Sequence, residues 1–377
     1  MGIMSESSTI RVTTQITTAA IGIALIGCAL AADQRWLDRH FLPSFFVPRR
    51  WYVLLESVVR AGIAAVGLSL AVLLRPRVAR AVERAPHYPL TVALAVVLAL
   101  GTSELTLRHR PFRPTGWLKS GEEPLRRPDD RLGWVLVPAR TGHDTIGGRN
   151  VDYAIDAAGY RVSSVEAPVD PERPTIVFGG ESVMFGEGLF WSETIPAQVE
   201  GMLGIQSANL AVHGYSSDQM YLRLERELPR FRRPVAVVAL FMTALFGRNL
   251  DHDRPHLDPD LGWHPPERAS RLATLAAFLV PYRSDHTVDR GVVMTRNSLR
   301  AIVALAKARQ AAPLIVAPNF GTEHQVDRSL RQRILDDTIP YLPVTLDADW
   351  RLRWDRHPNA HAAKVIARAI ALRLRHR

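Results

Sequence analysis

The chain has 377 residues and a mass of 42.0 kDa, too long for one small domain and suited to two or three units. Hydrophobic residues make up 47% and charged residues 22%, which excludes general disorder. A formal net charge of +10 brings nucleic-acid binding into view, but its distribution argues against that class. Residues 1–110 carry 12 basic and 6 acidic side chains, while residues 111–377 carry 35 and 31. The excess therefore lies among apolar segments, and the nearly balanced remainder lacks the clustered cations that phosphate affinity requires. Cys28, the single cysteine, sits in an apolar run, so neither a disulfide framework nor a cysteine metal site is available.

Residues 1–110 read as a membrane anchor. The uncharged stretch 12–32 covers roughly the ~30 Å hydrocarbon thickness at about 1.5 Å per residue. A cleaved signal peptide is the alternative, because the stretch ends in small residues; its length and single flanking arginine favour an uncleaved helix. A second helix is expected over 52–74. It is apolar apart from Glu56 and Arg60, which are one turn apart and placed to snorkel near a helix end, with Trp51 and Tyr52 at the interface. A third is expected over 87–106. Arg75, Arg77, Arg80 and Arg84 read as a basic loop between the second and third helices. Arg35, Arg39, Arg49 and Arg50 form another basic group, and Arg108, Arg110 and Arg113 follow the third helix. The charge rule therefore leaves the orientation open.

Residues 111–172 form a lead-in rich in Pro, Gly, Arg and Asp, with strand-like runs at 133–137 and 151–155. From 173 to 377 strands and helices alternate. Strands are expected at 175–178, 207–212, 235–242, 313–318 and 341–346, with helices at 194–203, 217–228, 293–310, 326–338 and from Pro358 to the end. This alternation predicts a mostly parallel sheet with helices on both faces. Residues 247–290 read as an insertion. The crevice of such a sheet lies at the carboxyl ends of its strands.

Two points carry chemistry. Ser182, in Gly180-Glu181-Ser182, stands just past a buried strand, where a nucleophile is exposed and neighbouring N–H groups can hold an oxyanion. An ordinary βα turn with Ser182 as helix cap is the plainer reading. His357, in Asp355-Arg356-His357-Pro358-Asn359, stands on a strand-to-helix loop at the same sheet edge, and Asp355 is placed to fix its tautomer. His357 and His361 are four apart, but no third ligand accompanies them, so no metal is expected there.

Taken together, residues 130–377 resemble the SGNH (GDSL-like) hydrolases. Gly180-Glu181-Ser182 is similar to the first block, Gly-Asp-Ser, with Glu for Asp. Asn209-Leu210-Ala211-Val212-His213-Gly214 is similar to the second block, and Asp355-x-His357-Pro358 to the last, one residue shorter than the usual Asp-x-x-His. The runs Asp130-Arg131-Leu132-Gly133-Trp134 and Tyr153-x-Ile155-Asp156-x-x-Gly159-Tyr160-Arg161 resemble the lead-in of membrane-attached members. The resemblance implies a flavodoxin-like three-layer αβα domain and a Ser182–His357–Asp355 triad. It implies oxyanion donors at the Ser182 and Gly214 N–H groups. One departure stands out: Leu245 or Phe246 falls where the third block supplies an Asn, and Asn249 is a substitute only if its loop curls back. The expected function is a membrane-anchored esterase or acyltransferase without metal or cofactor. Its partners are the bilayer and an acyl ester, such as that of an envelope polysaccharide or lipid; nucleic acid is not among them. The setting is a bacterial inner membrane with the catalytic domain facing outward. A catalytically degenerate protein that binds glycan or a protein partner is the alternative.

Overall fold

The computed structural model describes residues 6–42, 47–108, 123, 126–267 and 270–376; most of the expected lead-in before residue 126, with Arg110, Arg113 and Lys119, lies outside them. The chain divides into two compact units. One comprises Met1–Pro43, Val47–Pro114 and Ala269–Arg283; the other holds the remaining residues.

In the first unit, α1 (Glu6–Ala31) packs on α3 (Arg49–Leu68), with the short α2 (Gln34–His40) between them in sequence. The helices meet at Gly22 and Gly67: a Cβ on Gly67 would stand 2.6 Å from the Gly22 carbonyl oxygen. Small residues thus permit a backbone approach that side chains would block. The second span runs on past residue 74, through a π-helical stretch Ser69–Leu74 into α4 (Arg75–Arg84). The expected basic loop is therefore helical. Pro76 lies inside this continuous helix, where it has no N–H to donate, and the π-helical stretch ends just before it. α5 (Tyr88–Arg108) follows. Three helical stretches, Ser8–Ala31, Arg49–Arg84 and Tyr88–Arg108, are long and apolar enough to cross a membrane. Glu56 and Arg60 find different partners: Gln34 donates to Glu56 at 2.7 Å, and Arg60 donates to the Ala29 carbonyl at 3.0 Å.

The second unit is built on an eight-stranded sheet. After a hairpin of β1 (Arg126–Asp129) and β2 (Gly133–Leu136) come β3 (Arg140–Ile146), β4 (Arg149–Ile155) and β5 (Arg161–Val162). These are followed by β6 (Pro174–Gly179), α6 (Ser182–Phe185), α7 (Ile195–Leu203), β7 (Gln206–Asn209), α8 (Ser217–Glu227) and β8 (Arg233–Leu240). A two-residue-strand hairpin, β9 (His256–Leu257) and β10 (Trp263–His264), follows; the next helix in the chain, α9 (Arg271–Leu279), belongs to the first unit. The chain closes with α10 (Asp285–Ala308), β11 (Ala312–Phe320), α11 (Gln325–Ile334), β12 (Tyr341–Leu346) and α12 (Ala360–Arg375).

The sheet order is β12-β11-β8-β6-β7-β5-β4-β3, parallel from β12 to β7 and antiparallel from β7 onward. Counted along the chain, the five parallel strands have the flavodoxin-like order 2-1-3-4-5. The order in which successive strands are added across the sheet reverses after β7, so right-handed crossovers put α7 and α8 on opposite faces. α12 returns to pack on α7, and α10 packs on α8, which completes the two helical layers. The sheet core is made of residues such as Ile176, Phe178, Val238, Leu240, Ile315 and Val316, all nearly inaccessible.

Two boundaries differ from expectation. The lead-in is part of the sheet, since β3, β4 and β5 extend it beyond β7. The insertion ends earlier than residue 290, because Ser284 caps α10 by accepting the Thr287 N–H.

Candidate active site

β6 lies between β8 and β7 in the parallel set, and its carboxyl end delivers Ser182. Gly180 makes the tight turn: a Cβ there would lie 2.5 Å from Cβ of Met184. Glu181 caps α6, its carboxylate accepting the Val183 N–H at 3.1 Å. Ser182 is the first residue of that turn, so its N–H has no acceptor within the helix.

The loop after β12 brings His357 to the serine. Ser182 Oγ lies 2.8 Å from His357 Nε2, and His357 Nδ1 is hydrogen-bonded to Asp355. Asp355 also accepts the His357 backbone N–H at 3.1 Å. Spacing of only two residues closes this contact because Trp354 and Arg356, on either side of Asp355, both adopt left-handed backbone (φ 64° and 72°). Such strain is held in place by the loop's own bonds, among them Leu352 N–H to the His357 carbonyl at 2.7 Å and Arg351 to the Arg356 carbonyl at 2.8 Å. His361 lies elsewhere, its ring edge-on to Trp350.

Glu187 was not singled out in the sequence. It lies five residues past Ser182, and its carboxylate is 2.7 Å from His213 Nδ1 and 3.5 Å from His357 Nε2. Burial pushes the Glu187 carboxyl up, but the two histidines outweigh it and hold the group well below the usual carboxylate range. Burial likewise disfavours a charged His357 ring, yet Glu187, then Asp355 and Glu181, raise it above the ordinary imidazole value. The serine hydroxyl has two acceptors within reach, His357 and the Glu181 carboxylate at 2.7 Å.

Gly214 follows β7 with φ of +74°, and its carbonyl accepts from Arg254 at 2.8 Å. Asn249 is committed elsewhere. Its amide donates to Ser217 Oγ at 3.2 Å and Thr295 Oγ1 at 2.8 Å, and its oxygen accepts the Ser217 N–H at 2.8 Å. An amide has two N–H donors, so neither is left for an oxyanion in this arrangement. Its neighbour Arg248 points the other way: Nη1 is 3.7 Å from Glu181 and, among the described residues, buried without a hydrogen-bond partner. Burial lowers the Arg248 guanidinium from its usual range, and Glu181 opposes that.

The lead-in reaches the site through Arg161, which is fully buried and lowered to about 10 by burial. It donates to the carbonyls of Phe185, Gly186 and Leu189 at 2.7, 2.6 and 2.5 Å, pinning the loop that carries Glu187. Tyr153 adds a hydrogen bond from the Gly188 N–H at 3.0 Å. The sequence held the signal for this role, since both residues fall in the lead-in run, but no local pattern says which carbonyls a buried arginine will reach.

No protein-family model and no curated protein matches the chain. Among solved structures it is similar to one described as a lipolytic protein of the G-D-S-L family from Desulfitobacterium hafniense DCB-2, with 14% identity and a TM-score of 0.35. That match covers 53% of this chain and 98% of the other. An acetyl xylan esterase from Butyrivibrio proteoclasticus shares 12% identity at a TM-score of 0.33, over 56% of this chain and 65% of that one. A carbohydrate esterase whose active site is described as having divergent catalytic and non-catalytic binding functions shares 11% at 0.34, over 56% and 67%.

Proposed function

We propose that this chain is a membrane-anchored serine esterase or O-acyltransferase of SGNH type, with its catalytic domain on the outer side of a bacterial inner membrane. Its substrates are acyl esters of cell-envelope glycans or lipids. The observation that carries the reading is the continuous hydrogen-bonded line from Ser182 Oγ through His357 to Asp355. Ser182 Oγ attacks the ester carbonyl carbon as its proton passes to His357 Nε2. Asp355 orients the ring, and the imidazolium charge is balanced by Asp355 and Glu187. The N–H groups of Ser182 and Gly214 stabilise the oxyanion, and Arg248 contributes positive charge where the Asn249 amide is unavailable. Collapse expels the alcohol, which takes the proton from His357. Water or a sugar hydroxyl then attacks the acyl-enzyme and gives its proton to His357, which passes it to Ser182 Oγ as the bond from the acyl carbon to that oxygen breaks. The three apolar stretches support the anchor.

A serine-directed fluorophosphonate probe tests the reading. Labelling of the full chain in detergent, abolished by Ser182→Ala and by His357→Ala, is the expected result. No labelling of the folded wild type by probes of several sizes would overturn it. That second outcome favours the alternative of a binding protein without catalysis, for which the committed Asn249 amide is the supporting observation.

A further inference from the structure

The segment between β8 and the start of α9 holds three imidazoles, those of His252, His256 and His264, and the Glu267 carboxylate, none of which the triad uses. His256 opens β9 and His264 closes β10, paired across the hairpin. His252 precedes them, and its ring stacks on that of His256 with centroids 4.4 Å apart and planes within 5°. His256 is buried, and its Nδ1 lies 3.0 Å from the Arg254 carbonyl. A carbonyl only accepts, so Nδ1 carries the proton and Nε2 presents its lone pair. Carbonyl partners of this kind orient metal-ligating histidines.

The third component is brought in by the backbone. The Glu267 N–H donates to the His252 carbonyl at 2.8 Å, which closes the segment on itself. Glu267 Oε1 then stands 3.3 Å from His252 Nδ1 and 4.0 Å from His256 Nε2. The three ligand atoms lie within 4.8 Å of one another. Ligands of a tetrahedral zinc, each at about 2.0–2.1 Å, are separated by about 3.3 Å. The first spacing matches this, the second is wider, and the two stacked rings must turn for their lone pairs to meet at one ion. Neighbouring His264 is held by Asp258 at 3.0 Å.

We propose that His252, His256 and Glu267 form a binding site for a divalent transition-metal ion, of which zinc is the best fit by ligand type and geometry. The chemistry is that of a His₂Glu set with one position left for water. Its place in the fold gives it a structural task. Arg254, between the two histidines, holds the Gly214 carbonyl, and the Leu257 N–H is anchored on Asp218 of α8 at 3.0 Å. An ion here fixes the strap that supports the Gly214 loop.

Cobalt(II) is the probe. The full chain in detergent, stripped with EDTA and desalted, is titrated with cobalt chloride and then zinc chloride. One equivalent of cobalt with the strong visible absorption of a four-coordinate ion, displaced by zinc, is expected, together with a zinc-dependent rise in melting temperature. His252→Ala and His256→Ala abolish both signals. Glu267→Gln, at a mostly exposed side chain that leaves the fold intact, weakens cobalt binding at least about tenfold. His357→Ala and His361→Ala retain both. Absence of the absorption in wild type, its persistence unchanged in Glu267→Gln, or its loss in His357→Ala overturns the proposal.

Discussion

The Glu187 carboxylate lies 3.5 Å from Nε2 of His357, on the nitrogen that faces Ser182 rather than on the one that faces Asp355. The imidazole is thus bracketed by carboxylates, with Glu181 a further one nearby, and its positive form is favoured from both ends. A base of this kind is useful only when neutral, so a raised value confines it to higher pH.

The sign of the pH dependence follows. Ester hydrolysis should rise with pH through the elevated His357 value. In Glu187→Gln the largest stabilising influence on the imidazolium is gone, so the acid limb should move to lower pH while the plateau rate falls. The pH profile of kcat/KM with a small chromogenic ester measures both. An acid limb that stays where it was would show that Glu187 does not act on His357.

Adjacent residues after β8 should separate stability from rate. Asn249→Ala leaves buried groups on Ser217 and Thr295 without a partner and should cost about 1–3 kcal/mol, with the specific activity of the folded fraction retained. Arg248→Gln should keep the melting temperature nearly unchanged but lower kcat by about 10²–10³, the range for loss of an oxyanion contact. Denaturation and steady-state assays on the same preparations distinguish the two.

Arg161 is held by three carbonyls and lies over the rings of Tyr153 and Phe185, each 4.7 Å from the guanidinium carbon. Replacement by Met removes the donors and leaves the loop after α6 unpinned. A loss of about 3–5 kcal/mol is expected, in line with breaking a buried charged network. Thermal unfolding of the full chain in detergent reads it, and Arg161→Lys should recover only part of the loss because a lysine lacks the planar fork.

In the helical unit, Gly67→Leu should separate α1 from α3, since even a Cβ would meet the Gly22 carbonyl at 2.6 Å. A drop in stability of about 1–3 kcal/mol is expected from such overpacking. Gly101→Leu, where an added Cβ meets nothing within 4 Å, serves as the control and should melt like wild type. Equal melting of both variants would show that the glycine contact is not what joins these helices.

Much of the architecture was legible in local pattern. Continuous apolar runs marked β8 and β11, because a strand buried on both faces has no polar side to show. Apolar length marked the three long helices, and loop residues marked the carboxyl ends of β6 and β12, where Ser182 and His357 stand. The extra turns of α4 were not legible, because an arginine-rich stretch reads as loop until the backbone shows a helix already running into it. Contacts between residues far apart in the chain had no local signal. Asn249 turns to Ser217 and Thr295, and Arg161 reaches the loop carrying Glu187. Local pattern assigns segments to strands, helices and loops, because periodicity and turn chemistry act within a few residues. The choice of partner for each buried polar group waits on packing, because the cost of leaving that group unpaired is settled only when distant segments meet.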